Sequence, residues 1–416
     1  MLLYWIIIGI EVVEYVFDQL LSYLNVKASK RAIPKVLEGI YDEASYRKQQ
    51  AYFRANKRVG FWMSLVSTLA TLGVFAFGGF AWADELVRGV SDSEIVRTLL
   101  FMGLFGGLSW LIDLPFDIYD TFVVEERFGF NKTTPKLYIM DTLKSLGLSI
   151  VLGGGVLALV VWIYGLTPDY FWLLAWGVVS VVMLFIQYFY SVLLVPLFNK
   201  QTPLEEGELR DAIEAFATKV DFKLKNIYVI DGSKRSTHSN AYFTGWGRQK
   251  RIVLYDTLMD QLTTEEIVGV LAHEIGHYKH RHIIQSLIVG LLTTLVTFYL
   301  FGLIIDSPAI AAAAGSTEPS FYVNLTVFSM LYTPLTMVMG IVSNMWSRKN
   351  ERQADRFAWE HGVGADEANA LKKMSAKSLS NLTPHPFVVF VSYSHPTLKE
   401  RVEQLMAPSS SPKGEN

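Results

Sequence analysis

Thr263 to Ile305 reads TTEEIVGVLAHEIGHYKHRHIIQSLIVGLLTTLVTFYLFGLII, and its two halves obey different rules. The first opens with Thr263-Thr264-Glu265-Glu266, a capping-box pattern that predicts a helix through His273 and on into the apolar run that follows. From 282 to 305 no charged residue intervenes, and the run exceeds the roughly 20 residues needed to cross a bilayer. Lys279 and Arg281 form a basic collar where the two halves meet, as expected at a cytosolic boundary. This passage from capped polar helix to membrane-length apolar run predicts an integral membrane protein with chemistry held at the membrane edge.

The rest of the 416 residues agrees. Hydrophobic residues make up 51% and charged residues 18% of the chain, against a usual charged share of about 25%. Seven runs have membrane-spanning length: roughly 2–24, 59–83, 97–119, 139–165, 170–198, 282–305 and 321–347. Lysine and arginine number nine between the first two spans, then two, three and none, then twelve between spans five and six, none, and ten after span seven. Every second connection is the basic one, which predicts the N-terminus outside and segments 25–58, 199–281 and 348–416 in the cytosol. The first run carries Glu11, Glu14 and Asp18 without a basic leader, so it reads as a membrane anchor and not a cleaved signal. The absence of cysteine excludes disulfides, thiol catalysis and cysteine metal sites. A net charge of −2 gives no footprint for nucleic acid.

The expected fold class is an all-α integral membrane protein, with a cytosolic-side polar region holding a short β element. Four stretches organise it: 1–198 for five spans with the cytosolic loop 25–58, 199–281 for a cytosolic-side segment with the H-E-x-x-H helix, 282–347 for spans six and seven, and 348–416 for a C-terminal segment with a third ligand and a disordered tail. Leu209, Ile213, Phe216 and Val220 share one face of an amphipathic helix in 204–221. Asn226 to Asp231 and Lys250 to Asp256 read as strands, separated by the Gly/Ser/Asn-rich stretch 232–247. A helix over 348–361 is expected to stop at Gly362 and Gly364.

His273-Glu274-Ile275-Gly276-His277 carries the chemistry. Side chains four apart on a helix stand nearly one above the other, so both imidazoles can reach one Zn²⁺. Glu274 lies one position round, where its carboxylate can address a water at the metal and act as general base for peptide hydrolysis. A catalytic zinc needs a third protein ligand, and Glu351 on the later helix is the candidate. Asp355, one turn on, can accept a hydrogen bond from the outer nitrogen of a ligand histidine. His280 and His282 compete for the ligand place, although both also suit the membrane boundary. Asn240, in His238 to Gly245, can grip a substrate carbonyl beside an exposed strand edge, or simply belong to a polar loop. His395, before Pro396 and Thr397, can donate to an oxyanion or serve as a turn residue, and Arg401 is a further candidate for substrate contact. Asp113, Asp117, Asp120, Glu11 and Glu14 lie within spans, where charge faces protein or water, and the clustered aspartates suggest a hydrated cavity.

Together these residues resemble the CAAX prenyl protease 1 family. The likeness also rests on Leu114-Pro115-Phe116, Thr121 to Lys132, Pro196 to Lys200, Arg251 to Leu258 and Ser394-His395-Pro396-Thr397. It implies seven long helices around a large hydrated chamber and one Zn²⁺ per chain held by His273, His277 and Glu351. It further implies Glu274 as base, Asn240 and His395 as substrate or transition-state contacts, and Asp355 behind a ligand. The implied substrate is the C-terminal tail of a peptide or protein, prenylated or not, met at the lipid bilayer. The ending Ser-Pro-Lys-Gly-Glu-Asn has no ER-retrieval pattern, so the bacterial inner membrane is the expected location and the endoplasmic reticulum the alternative. Two rivals stand beside this reading: a broader membrane-protein quality-control protease, and a non-catalytic metal-binding or transport protein. A transporter would hold its ligands near the bilayer midplane, not at the boundary.

Overall fold

The computed structural model describes residues 1–224, 226–244 and 251–408. Among them, six helices are long and apolar enough to cross a membrane: Glu43–Ala76, Glu94–Phe128, Pro135–Leu166, Pro168–Phe198, His282–Gly302 and Phe321–Glu360. The expected first span is a helix too, Leu2–Ala28, with Glu11, Glu14 and Asp18 inside its apolar stretch. The disordered tail expected at the C-terminus lies mostly outside the described residues.

The spans outrun the apolar segments that mark them. Glu43–Ala76 begins sixteen residues before the apolar run at 59, capped by Asp42, whose carboxylate accepts the Ser45 N–H at 2.7 Å. It stops short of the expected end at 83, where Gly78 (φ 70°) makes a left-handed turn and a separate helix, Gly79–Val90, begins. Phe321–Glu360 extends 40 residues, so the expected seventh span and the helix carrying Glu351 are one rod. The left-handed Gly362 (φ 83°) follows its end.

One expectation is corrected. The H-E-x-x-H helix, Thr264–Lys279, does not run into the next span; it ends, and His282–Gly302 starts anew. Between them Arg281 takes φ 58° and ψ 31°, a conformation that costs a non-glycine residue about 1–2 kcal/mol. The start follows the expected capping box: the Thr263 hydroxyl accepts the Glu266 N–H, and the Glu266 carboxylate accepts the Thr263 N–H at 2.9 Å.

The polar segment builds a four-stranded sheet ordered β1 (Gln201–Pro203), β2 (Ile227–Ile230), β4 (Arg251–Tyr255), β3 (Ala241–Thr244). Strands β2 and β4 are parallel and the two outer pairs antiparallel. The stretch expected as a loop therefore contains an edge strand, β3. Beneath the sheet lies the largest core, where Ile252, Leu254 and Leu258 meet Ile213, Phe216, Ile267, Leu271 and Ile275. Two smaller cores, around Phe101 with Tyr322 and around Phe171 with Phe321, tie the opposite ends of the spans together.

Two glycines seven residues apart set how closely the H-E-x-x-H helix is packed. A Cβ on Gly269 would stand 2.5 Å from the Glu367 backbone nitrogen, and one on Gly276 3.0 Å from the Ala354 Cα. Gly269→Ala should destabilise the protein by about 1–3 kcal/mol, since backbone must move to admit the methyl. The check is a lowered thermal midpoint in detergent, with Gly290→Ala, whose Cβ meets only Met183 Cε at 3.8 Å, expected to be neutral.

Candidate active site

His273 and His277 stand one helical turn apart with their Nε2 atoms 3.0 Å from each other. The helix Phe321–Glu360 brings Glu351 across from them. One carboxylate oxygen lies 3.4 Å from His273 Nε2, the other 3.3 Å from His277 Nε2. Glu351 is buried, and its Oε2 has no hydrogen-bond partner. Glu274 opens with His277, Glu351 and Phe243 of β3 onto a cavity of about 500 Å³, whose far wall is Met183, Ile283 and Leu287.

The outer nitrogens of the two imidazoles meet different partners. His273 Nδ1 is 2.8 Å from Asp355 Oδ1 and 3.1 Å from Glu367 Oε1. Asp355 is 0% and Glu367 1% exposed, and one cation serves both: Arg401 Nη2 donates to Asp355 Oδ1 at 2.6 Å and to Glu367 Oε1 at 3.0 Å. Burial pushes the Glu367 carboxyl up to about 7, against the pull of the histidine and guanidinium beside it. His277 Nδ1 faces His282 Nδ1 at 2.9 Å.

The other expected residues are distributed as follows. His395 reaches the ligand cluster, its Nε2 3.4 Å from Glu351 Oε1, while its side chain stays 59% exposed. Its Nδ1 lies 2.9 Å from the Ser394 hydroxyl. Asn240 precedes β3, and its Oδ1 accepts the Ala241 N–H at 2.8 Å. Arg401 departs from its expected part as a substrate contact: its side chain is only 11% exposed and occupied by Asp355 and Glu367. His280 is exposed and stacks on His282, and neither contacts Glu351. His238 stacks on Phe130 with centroids 4.4 Å apart, near Glu125.

Comparison with known proteins bears on this arrangement. A family model described as CAAX prenyl protease N-terminal, five membrane helices, matches residues 22–200, and one for peptidase family M48 matches 203–409. A CAAX prenyl protease 1 of Saccharomyces cerevisiae is 37% identical, with 96% of this chain and 94% of that protein aligned. An Arabidopsis thaliana homologue is 35% identical over 96% of each chain. The crystal structure of S. mikatae Ste24p superposes with a TM-score of 0.92 at 35% identity, covering 97% of this chain and 99% of that one.

The chain belongs to the CAAX prenyl protease 1 family. It is a membrane zinc metalloprotease, and the residues present fit the metal. Tetrahedral zinc with ligand bonds of about 2.0–2.1 Å sets its ligand atoms about 3.3 Å apart, the spacing seen among His273, His277 and Glu351. The buried, unpartnered Glu351 Oε2 is the kind of atom a cation satisfies.

Several residues of this protease escaped sequence reasoning. Glu367 follows the expected helix stop at Gly364 and reads as an ordinary acid in a helix first turn. Gln353 and the contact of His282 with His277 require the break at Arg281, which no local signal announces. Gly269 and Gly276 were a usable signal, since glycines one heptad apart on a helix mark close approach.

Glu351→Ala should lower bound zinc at limiting metal, measured by elemental analysis; unchanged content would return the third ligand place to His280. Arg401→Met removes the guanidinium shared by two buried carboxyls and should cost about 3–5 kcal/mol, read as a fall in thermal midpoint.

Proposed function

We propose that His273, His277 and Glu351 hold a single Zn²⁺ and that the chain hydrolyses a peptide bond near the C-terminus of CAAX-type proteins carrying a prenyl group. The observation carrying this reading is the two Nε2 atoms 3.0 Å apart with a Glu351 oxygen 3.3–3.4 Å from each, one oxygen per histidine, beside Glu274 on one cavity. When bound, zinc polarises the scissile carbonyl and lowers the pKa of the attacking water. Glu274 takes the water's proton and passes it to the leaving amine. His395, exposed and adjacent to Glu351, donates to the oxygen that gains charge as the carbonyl is attacked. Asp355 holds the His273 ring with its Nδ1 proton outward, leaving Nε2 free for the metal.

The substrate chain pairs with the open edge of β3, and Asn240 at its start takes a backbone carbonyl, which supports a peptide entering extended. The wall of Met183, Ile283 and Leu287 favours a lipidated tail over a wholly polar one. Leu2–Ala28 is the seventh span: Val12, Val13, Val16 and Leu20 are exposed while Glu11 and Glu14 are half-buried, the division expected of a helix with lipid on one side and a hydrated chamber on the other. The lysine and arginine distribution supports an outside N-terminus with the site on the cytosolic side. The four stretches 1–198, 199–281, 282–347 and 348–416 then act together, since the cavity takes residues from all of them.

Matched farnesylated and unmodified CAAX peptides test the substrate. Cleavage of the lipidated peptide alone is expected, and equal cleavage of both would establish a general membrane endopeptidase. Glu274→Gln should keep zinc by elemental analysis yet lose turnover, and zinc loss would remove the base assignment. His395→Ala should lower kcat about 10²-fold with metal retained; an unchanged kcat would make it a turn residue.

A further inference from the structure

The reading of His277 as a zinc ligand leaves open what fixes its proton. A neutral imidazole has one N–H, and it binds a metal through Nε2 only when that proton sits on Nδ1. His273 solves this with carboxylates. His277 has none there: its Nδ1 faces another histidine ring nitrogen, His282 Nδ1, at 2.9 Å. His282 is 3% exposed, and its second nitrogen, Nε2, lies 2.9 Å from Gln353 Oε1.

We propose that Gln353 and His282 form a positioning relay that sets the tautomer of His277 for metal binding. The chain of donors runs one way. The Gln353 carbonyl oxygen accepts only, so His282 carries its proton on Nε2. His282 Nδ1 is then an acceptor, and His277 must donate from Nδ1, which leaves its Nε2 lone pair toward Glu351 and His273. The opposite amide orientation of Gln353 would invert every step and place a proton on His277 Nε2, where it would block the metal. Only the orientation with the Gln353 oxygen toward His282 leaves the His277 Nε2 lone pair free for a metal.

The backbone break at Arg281 belongs to the same device. In an unbroken helix, residues five apart point about 140° away from each other, and His282 could not meet His277. The left-handed Arg281 ends the first helix and turns the chain so that the first residue of the next one folds back onto the site. Strain held at such a place by the surrounding structure is a known mark of function. Gln353, two residues after Glu351, comes from the same rod as the third ligand, so one helix supplies both the metal's carboxylate and the start of the relay.

The test is the zinc dissociation constant of the purified full chain, measured by chelator competition with Zn²⁺ alone. His282→Phe, which keeps a ring but no acceptor, should weaken zinc about 10–100-fold. His282→Asn, whose Oδ1 stands at the Nδ1 position, should recover most of that loss. Gln353→Met should weaken zinc by about 10-fold and does not alter a ring at all. Wild-type affinity in His282→Phe and Gln353→Met, or an Asn variant no better than Phe, would overturn the relay. His277→Ala separates the two levels: if it binds zinc like wild type, the ligand assignment beneath the relay has failed, whereas loss there with no loss at His282 or Gln353 sinks the relay alone.

Discussion

Everything at the site depends on how near two helices come. The H-E-x-x-H helix and the rod Phe321–Glu360 meet where Gly276 faces Ala354 and Phe357, with no room for a methyl between them. That approach lets the Glu351 carboxylate stand 3.3–3.4 Å from two histidines on the facing helix. A second glycine, Gly269, admits the backbone of the helix that carries Glu367. The spacing of His273, His277 and Glu351 is thus a product of backbone contact, and the three side chains stand on helices on both sides.

Around this contact, charge is handled in layers. Two carboxyls buried beside His273 share Arg401, which keeps the cluster close to neutral in a place where an unpaired ion would be prohibitive. The polar end of the molecule rests on a core of ordinary soluble-protein type beneath a four-stranded sheet, whereas the spans are stitched at their far ends by aromatic clusters. The site lies between these two kinds of packing, with Phe243 from the sheet and Ile283 and Leu287 from a span lining the same cavity.

Much of this was legible in the chain. Apolar runs located six helices of membrane-spanning length, because the bilayer imposes a length rule that acts locally. Thr263 and Glu266 announced a helix start, and the four-residue spacing of His273 and His277, like that of Glu351 and Asp355, placed partners on one face. What escaped depends on tertiary contact. Strand β3 has only four residues in a stretch of loop composition, and it is a strand because β4 lies beside it. Arg281 has no residue signal for its left-handed turn; the packing of two helices demands it. Arg401 was legible as a cation near the site but not as one wholly engaged by acids 34 and 46 residues earlier in the chain.

The long rod also has a consequence for biogenesis. Both histidines leave the ribosome well before Glu351, which arrives only at the end of the last membrane helix. Until that helix is threaded and seated, the nascent chain has two imidazoles and no carboxylate opposite them. With Glu351 as the proposed third ligand, peptidase competence waits until the last membrane helix has been inserted.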